Sequence, residues 1–265
     1  MFSFFNRKTT VQLVPELPSL DNVLYPLDWQ QQKFESAEAL ILYLIDNLSF
    51  NQKDLSEGHL LDSDNDSSQS ELYYKDINLK FYQKQFSQFL SKYDAYQDWI
   101  NFTVFGRYVQ RSFSVFYQQT EDVFNADMPE ILKHELMRHT QRLPKGQVLL
   151  VGGKLPLSVR RDKVLVTTLN PFQALLDALK ENYHDYRKIK SVKPIALSPL
   201  VVNFITASSD KVKAFAVKHN KRTSQGLHNE VMILDFNHLI LVHEYPYKNN
   251  AQSAVSYLIR HYTIG

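Results

Sequence analysis

The spacing of apolar side chains predicts helices in the early part of the chain. Between residues 37 and 48 the apolar positions recur every three or four residues, and Ser36 can cap this helix. The same spacing predicts two further helices in succession, with apolar faces made of Tyr82, Phe86, Phe89, Leu90 and Tyr93 and then of Tyr96, Trp99 and Ile100.

A fourth helix is predicted from Asp127, which can act as its cap, with Pro129 in the first turn and an end near Arg142-Leu143-Pro144. Residues 56–70 contain a run of Asp, Ser and Asn, which is typical of an exposed loop. The region 1–143 is therefore predicted to be mainly helical.

After Pro144 the pattern changes to short apolar runs that are rich in β-branched residues, as strands are. Six such runs lie at 148–151, 163–167, 201–206, 213–217, 230–234 and 239–242. Asn170 and Pro171 predict the start of a helix between the second run and the third. A final helix is predicted from the spacing of Val255, Leu258, Ile259 and Tyr262. The whole pattern indicates an α+β fold, with a strand-rich core over 144–265.

Composition narrows the classes of function. Hydrophobic residues make up 44% of the chain, enough for a large core, and cysteine is absent, which excludes thiolate nucleophiles and cysteine-bound zinc. Lys and Arg number 30 against 28 Asp and Glu, so the molecule as a whole is not drawn to nucleic acid or acidic lipid. No apolar run is long enough to span a membrane, and the first residues do not form a secretion signal. We expect a soluble protein that is cytoplasmic, or exported without a cleaved signal peptide.

Two patterns resemble metal sites without meeting their requirements. The aspartates between Asp62 and Asp66 suggest a calcium loop, but Ser67 and Tyr73 stand where that loop needs glycine and glutamate. His134 and His139 lie five residues apart, whereas a zinc-binding helix places its two histidines four apart on one face. No metal site is predicted.

Three segments of the second half occur in an informative order. Residues 149–156 read Leu-Leu-Val-Gly-Gly-Lys-Leu-Pro, residues 166–171 read Val-Thr-Thr-Leu-Asn-Pro, and residues 228–234 read His-Asn-Glu-Val-Met-Ile-Leu. They resemble the arginine, serine-threonine-serine and glutamate motifs of the ADP-ribosyltransferase family, and residues 93–101 are similar to the helical region that precedes them. This resemblance implies a helical region followed by a core of two packed sheets, with NAD as the substrate.

The resemblance also assigns candidate roles. Cleaving the bond between nicotinamide and ribose develops positive charge on the sugar, which a nearby carboxylate stabilises, and Glu230 is the candidate for that role. Thr167 and Thr168 are candidates for holding the nicotinamide ribose or Glu230. His228 occupies the place of the first acid of a glutamate pair, which in the family activates or selects the acceptor.

The first motif departs from the family most strongly. Gly152 stands where the arginine is expected, and glycine cannot supply a forked, charge-assisted grip on a phosphate. Gly153 and Lys154 complete this candidate cofactor-binding turn, and Lys154, Arg160 or Arg161 is the substitute cation to consider. The stretch over 184–222 is locally basic. It could attract the NAD pyrophosphate, nucleic acid or an acidic protein, or it could be a solvated surface. Its basic residues are Arg187, Lys188, Lys190, Lys193, Lys211, Lys213, Lys218, Lys221 and Arg222.

Two functions from different classes follow. The first is NAD-dependent transfer of ADP-ribose to a macromolecular acceptor, most readily a protein, with Glu230 as the essential acid. The second is a catalytically inactive binding or structural module that keeps the fold, which would account for Gly152. A third, nucleic-acid binding, rests on the basic stretch alone, without a recognised motif.

Overall fold

The structure is a computed structural model that describes residues 32–47, 77–101, 140–155, 165–188, 199–217, 224–248 and 256–265, together with the two-residue strands Pro26–Leu27 and Tyr73–Tyr74. The predicted helix from Asp127, the His134 and His139 pair, Arg160, Arg161 and the polar stretch 56–70 lie outside these residues. None of the described helices is long and apolar enough to cross a membrane.

Four helices are present in the described part of the chain: α1 (Ala37–Asn47), α2 (Leu79–Leu90), α3 (Asp94–Asn101) and α4 (Pro171–Lys188). The predicted helices after Ser36 and Asn170 and the two between residues 79 and 101 are therefore confirmed. Ser36 caps α1 as expected, because its Oγ accepts a hydrogen bond from the amide of Ala39 at 3.1 Å.

The core is one mixed sheet of eight strands, in the spatial order β11-β12-β8-β6-β7-β10-β9-β5. Their bounds are β5 Gln141–Arg142, β6 Val148–Gly152, β7 Leu165–Thr168, β8 Leu200–Ala207, β9 Lys213–Ala216, β10 Glu230–Asp235, β11 Leu239–Lys248 and β12 Ser256–Ile264. Two short hairpins, β1 (Pro26–Leu27) with β2 (Gln32–Lys33) and β3 (Tyr73–Tyr74) with β4 (Ile77–Asn78), stand apart from it. An eight-stranded sheet with helices confirms the α+β class, and all six predicted strands are present.

The expected pair of packed sheets is not confirmed, because the strand ladder is continuous. The continuity depends on one place: β6 and β7 are joined by the single pair Leu150 and Thr168. On one side of this junction lie β11, β12, β8 and β6, and on the other lie β7, β10, β9 and β5. The sheet therefore consists of two four-stranded halves with a narrow connection between them.

The predicted final helix is wrong, because residues 256–264 form strand β12. This strand lies between β11 and β8, and it runs parallel to β8 with Tyr257 opposite Leu200 and Ile264 opposite Ala207. Its buried residues alternate, first Tyr257 and Ile259 and then Tyr262 and Ile264. Aromatic and β-branched side chains fit this pleated, half-buried position.

The predicted end of the helix from Asp127 near Arg142 is also wrong. Gln141 and Arg142 form β5, which pairs with β9 opposite Ala214 and Lys213. Arg142 also forms an ion pair of 3.1 Å with Asp210. The main sheet thus begins at residue 141, at its outer edge.

Helix α4 is the central helix of the fold. It packs on β6, β7 and β8 of the sheet and also contacts α1 and α2. Every residue from 171 to 176 is buried as a consequence. Within this layer, Phe172 lies against Tyr82 and Phe86 of α2, with ring centroids 5.7 and 6.1 Å apart.

Helix α1 is tied to the far edge of the sheet by polar contacts. The hydroxyl of Tyr245 donates to Glu38 at 2.6 Å, and that of Tyr247 donates to Asp46 at 2.7 Å. His261 of β12 lies 3.2 Å from the Glu38 carboxylate. These contacts join an early helix to the last two strands of the chain.

Candidate functional site

The three motif segments lie side by side in the sheet, as their order in the sequence suggested. β7 lies between β6 and β10, Thr168 is opposite Leu150 on one side, and Thr168 is opposite Glu230 on the other. Residues directly opposite one another share a face, so Thr168 and Glu230 point to the same side of the sheet while Thr167 points to the other. We call the contacting pair Glu230 and His228, together with Asp177, which interacts with both electrostatically, the acid-histidine cluster.

The two threonines bind backbone rather than an open space. The Thr168 hydroxyl donates to the carbonyl of His228 at 2.5 Å and accepts from the Asn170 amide at 2.8 Å. The Thr167 hydroxyl donates to the carbonyl of Val231 at 2.7 Å. Both side chains are buried, and both fix the segment that carries His228 and Glu230.

Asn170 holds the beginning of α4 against this segment. Its Oδ1 accepts from the amides of Phe172 and Gln173 at 3.2 and 3.4 Å, so the predicted cap is confirmed. Its Nδ2 lies within hydrogen-bonding distance of three acceptors: the carbonyls of Gln83 and Leu227 at 3.1 and 3.2 Å, and the Asn229 side chain at 3.1 Å. A fully buried side chain therefore links α2, α4 and the turn before β10.

Asn229 gives that turn its shape. Among the described residues other than glycine, Asn229 alone has a positive φ, which is 50°. Asparagine tolerates this left-handed region better than most residues. Its Nδ2 donates to the hydroxyl of Tyr96 on α3 at 3.1 Å. Burial raises the pKa of Tyr96 to about 12; the Asn229 bond lowers it and the nearby Glu230 raises it further. His228 and Glu230 thus flank a residue fixed from two sides.

His228 and Glu230 are in direct contact. Nδ1 of His228 lies 3.2 Å from Oε1 of Glu230, and the two side chains are 22% and 21% exposed. Both groups are therefore partly shielded yet open to a ligand. Placing these two predicted residues together is the central feature of the site.

Asp177 of α4 is a third member of the cluster that the sequence pattern did not reveal. The pKa of the Asp177 carboxyl is raised, and burial is the largest cause. Glu230 raises it further, whereas Lys180, the hydrogen bond from the Gln173 amide at 2.7 Å and His228 lower it. Gln173 in turn accepts a hydrogen bond from Gln83 of α2. The available signal was that Gln173, Asp177 and Glu181 recur every four residues, a polar stripe on an otherwise apolar helix.

The turn Gly152-Gly153-Lys154, the candidate cofactor-binding turn of the sequence analysis, is closely packed. A Cβ atom on Gly152 would lie 1.9 Å from the carbonyl oxygen of Ala174 on α4. Gly153 has a φ of 94°, and the next amide, that of Lys154, donates to the Glu181 carboxylate at 2.6 Å. The buried Asn203 donates to the carbonyls of Val151 and Gly153 at 3.0 and 2.5 Å, which fixes the turn from β8.

The structure does not bring the basic stretch to this site in the part it describes. Lys213 pairs with Asp235 at 3.4 Å at the β9 side of the sheet, and Lys211 is exposed in the turn before β9. The remaining basic side chains of 184–222 lie outside the described residues. Among the described residues, no group of three or more His, Asp or Glu side chains has the arrangement of a metal site.

Two solved structures are similar to the chain at low identity. One is the Vis toxin, an ADP-ribosyltransferase from Vibrio splendidus, which is 11% identical over 83% of this chain and 89% of its own, with a TM-score of 0.34. The other is the ADP-ribosyltransferase Vis in complex with agmatine, 13% identical over 89% of this chain and 88% of its own, with a TM-score of 0.28. No protein-family model and no curated protein matches the chain. At such TM-scores, conclusions about function rest on the site residues of this chain.

Proposed function

We propose that the chain transfers ADP-ribose from NAD to a macromolecular acceptor, with Glu230 as the essential acid. The observation that carries the proposal is the register of the motif strands. Glu230 lies opposite Thr168 on the same face of the sheet, and its carboxylate contacts His228. The resemblance of the three segments to the ADP-ribosyltransferase motifs supplies the reaction, and the sheet brings those segments together.

The chemistry asks for a fixed carboxylate beside the sugar. As the bond to nicotinamide breaks, positive charge develops on the ribose, and a carboxylate that already points at it needs no reorganisation. The fixed backbone around Glu230, held by Thr167, Thr168 and Asn229, supports this role. The threonines act here through the backbone of β10.

The nicotinamide-ribose part of NAD fits the described residues better than the pyrophosphate does. The turn Gly152-Gly153-Lys154 offers no arginine, and the Lys154 amide is engaged by Glu181. Lys154 is the nearest cation in sequence, and lysine supplies a point charge without a planar fork. NAD is therefore expected to bind more loosely than with an arginine at this turn.

The test compares Glu230→Gln with the unchanged chain in the presence of NAD labelled in its adenylate part and a mixture of candidate acceptors. We expect nicotinamide release and label transfer to fall about 100-fold or more, as when a transition-state contact is removed. The matched control is Glu244→Gln, because Glu244 lies on β11 and pairs with Arg260 instead. Equal transfer by both variants would remove Glu230 from the reaction.

A second candidate, an inactive binding module with this fold, is favoured by the packing of Gly152. The α4 backbone leaves no room for any side chain at the position of the motif arginine. This function predicts that no nicotinamide is released, whether or not NAD binds. Isothermal titration with NAD on the unchanged chain and on Lys154→Ala, beside the release assay, separates the two functions.

A further inference from the structure

The contact between His228 and Glu230 fixes the protonation pattern of the imidazole. Nδ1 faces Oε1 of Glu230 at 3.2 Å, and an ionised carboxylate can only accept a hydrogen bond. Nδ1 must therefore carry a proton. In the neutral ring the lone pair is then on Nε2, which can accept a proton from a ligand.

The position of His228 is fixed as firmly as its tautomer. Its carbonyl accepts the Thr168 hydroxyl at 2.5 Å, and Asn229, which follows it, is held by Tyr96 and Asn170. About a fifth of the side chain, 22%, is exposed. The ring is therefore partly exposed, and among the described residues its second nitrogen, Nε2, has no hydrogen-bond partner.

The charged and titratable groups around the imidazole come from three elements. Glu230 lies on β10, Asp177 and its partner Lys180 lie on α4, and Tyr96 lies on α3 beside Asn229 and Glu230. The Glu230 carboxylate, which is in contact with the ring, can compensate the positive charge that the imidazole acquires when it accepts a proton during transfer. The surroundings suit a base that becomes positively charged during a reaction.

We propose that Nε2 of His228 is the general base for the acceptor, and that the acceptor is an uncharged hydroxyl group. This inference rests on the proposed function and names the substrate class for it. In the transfer step the bond from C1 of the nicotinamide ribose to the nicotinamide nitrogen breaks, and its electron pair leaves with neutral nicotinamide. The acceptor oxygen bonds to that carbon, and its proton moves to Nε2.

The choice of a hydroxyl over a guanidinium follows from the residue at position 228. A guanidinium carries a fixed positive charge and is best matched by a pair of carboxylates that accept its forked hydrogen bonds. A neutral imidazole offers one lone pair, and a protonated imidazole repels the cation. A hydroxyl has no charge to match and needs only the removal of its proton, which the lone pair of a neutral imidazole can accept.

The first experiment uses the full chain and three acceptors with NAD: water alone, a serine- and tyrosine-containing peptide, and agmatine as a guanidinium probe. The variants are His228→Gln and His228→Glu. We expect the peptide to be modified and agmatine not. We expect His228→Gln to lower the transfer rate to the peptide about 100-fold with NAD affinity unchanged. His228→Glu should shift the preference towards agmatine.

Several results would overturn the inference while leaving the proposed function in place. Agmatine could be the better acceptor for the unchanged chain, or His228→Gln could keep its full transfer rate, in each case with Glu230→Gln inactive. If instead no acceptor is modified and no nicotinamide is released by any form, the proposed function itself fails. The assignment of His228 as a general base then fails as well.

The second experiment needs no turnover. Nitrogen-15 spectra of the histidine rings, assigned by comparison with His228→Gln, report which ring nitrogen carries the proton at a pH where the ring is neutral. We expect His228 to carry it on Nδ1, and Glu230→Gln to weaken this preference, because an amide can either donate or accept. A proton on Nε2 in the unchanged chain would contradict the geometry on which the inference is built.

Discussion

At the scale of single residues, Gly152 shows how a site can be shaped by backbone approach. Strand β6 and helix α4 come so close there that even a methyl group would meet the Ala174 carbonyl at 1.9 Å. A strand and a helix can approach this closely only where a side chain is missing. Gly152 therefore has a packing role of its own.

Replacing Gly152 by alanine should lower the free energy of unfolding by about 3 kcal/mol, because the obstructing atoms belong to helix backbone that cannot rotate away. Urea denaturation measures this directly. Lys154→Ala, two residues further on and exposed, is the control and should change stability by less than about 0.5 kcal/mol. A stable Gly152→Ala variant would mean that α4 lies further from β6 than described.

At the scale of elements, the two capped helices allow a matched comparison. Asn170 caps α4 from a fully buried position and also binds Gln83, Leu227 and Asn229, whereas Ser36 caps α1 at the surface with a single bond of 3.1 Å. We expect Ser36→Ala to cost about 1 kcal/mol and Asn170→Ala about 3 kcal/mol, since the second also leaves buried polar groups without partners. Chemical denaturation of both variants checks the ratio. Equal losses would show that Asn170 acts as a cap alone.

Elements with a local signal were predictable, and those decided by distant partners were not. The start of α4 was visible because Asn170 and Pro171 form a cap, and β10 was visible as a β-branched run. Strand β12 was mistaken for a helix because Leu258, Ile259 and Tyr262 also fit a helical spacing. Its parallel pairing with β8, in which Tyr257 lies opposite Leu200, 57 residues earlier, decides the outcome, and no local pattern contains that information.

The neighbours within the candidate site were predictable only in part. Glu230, His228 and the threonines were predicted to lie together because they belong to short contiguous segments, and the strand register brings them together. Asp177 was not predicted, because it approaches them only through the crossing of α4 over the sheet. A polar stripe on a helix does not state which partner it faces.

At the scale of the whole molecule, the tyrosines make the fold sensitive to alkaline pH. Burial raises the pKa of Tyr96 to about 12, and the pKa values of Tyr245, Tyr247 and Tyr262 are also raised, that of Tyr247 chiefly by its bond to Asp46. A raised pKa means that the unfolded chain loses its proton first. The stabilising contribution is therefore complete below pH 10, the ordinary value, and is lost as pH rises towards the folded value.

Tyr96→Phe isolates one such contribution, because the other three tyrosines are common to both proteins. Near pH 8 the variant should be about 1 kcal/mol less stable, since Asn229 loses its acceptor. Between pH 10 and 12 the unchanged chain should lose about 2 to 3 kcal/mol that the variant does not lose. Denaturation midpoints of both proteins across this pH range show whether the unchanged chain loses stability relative to the variant as pH rises. Parallel curves for the two proteins would show that Tyr96 titrates normally.

The bonds from α1 to β11 also set the order in which the molecule can be completed. Glu38 and Tyr245 are 207 residues apart, and Asp46 and Tyr247 are 201 apart. At a synthesis rate of roughly 5 to 20 residues per second, Glu38 and Asp46 wait about 10 to 40 seconds for their tyrosine partners on β11. The bonds that join this early helix to the edge of the sheet can therefore form only late in the synthesis of the chain.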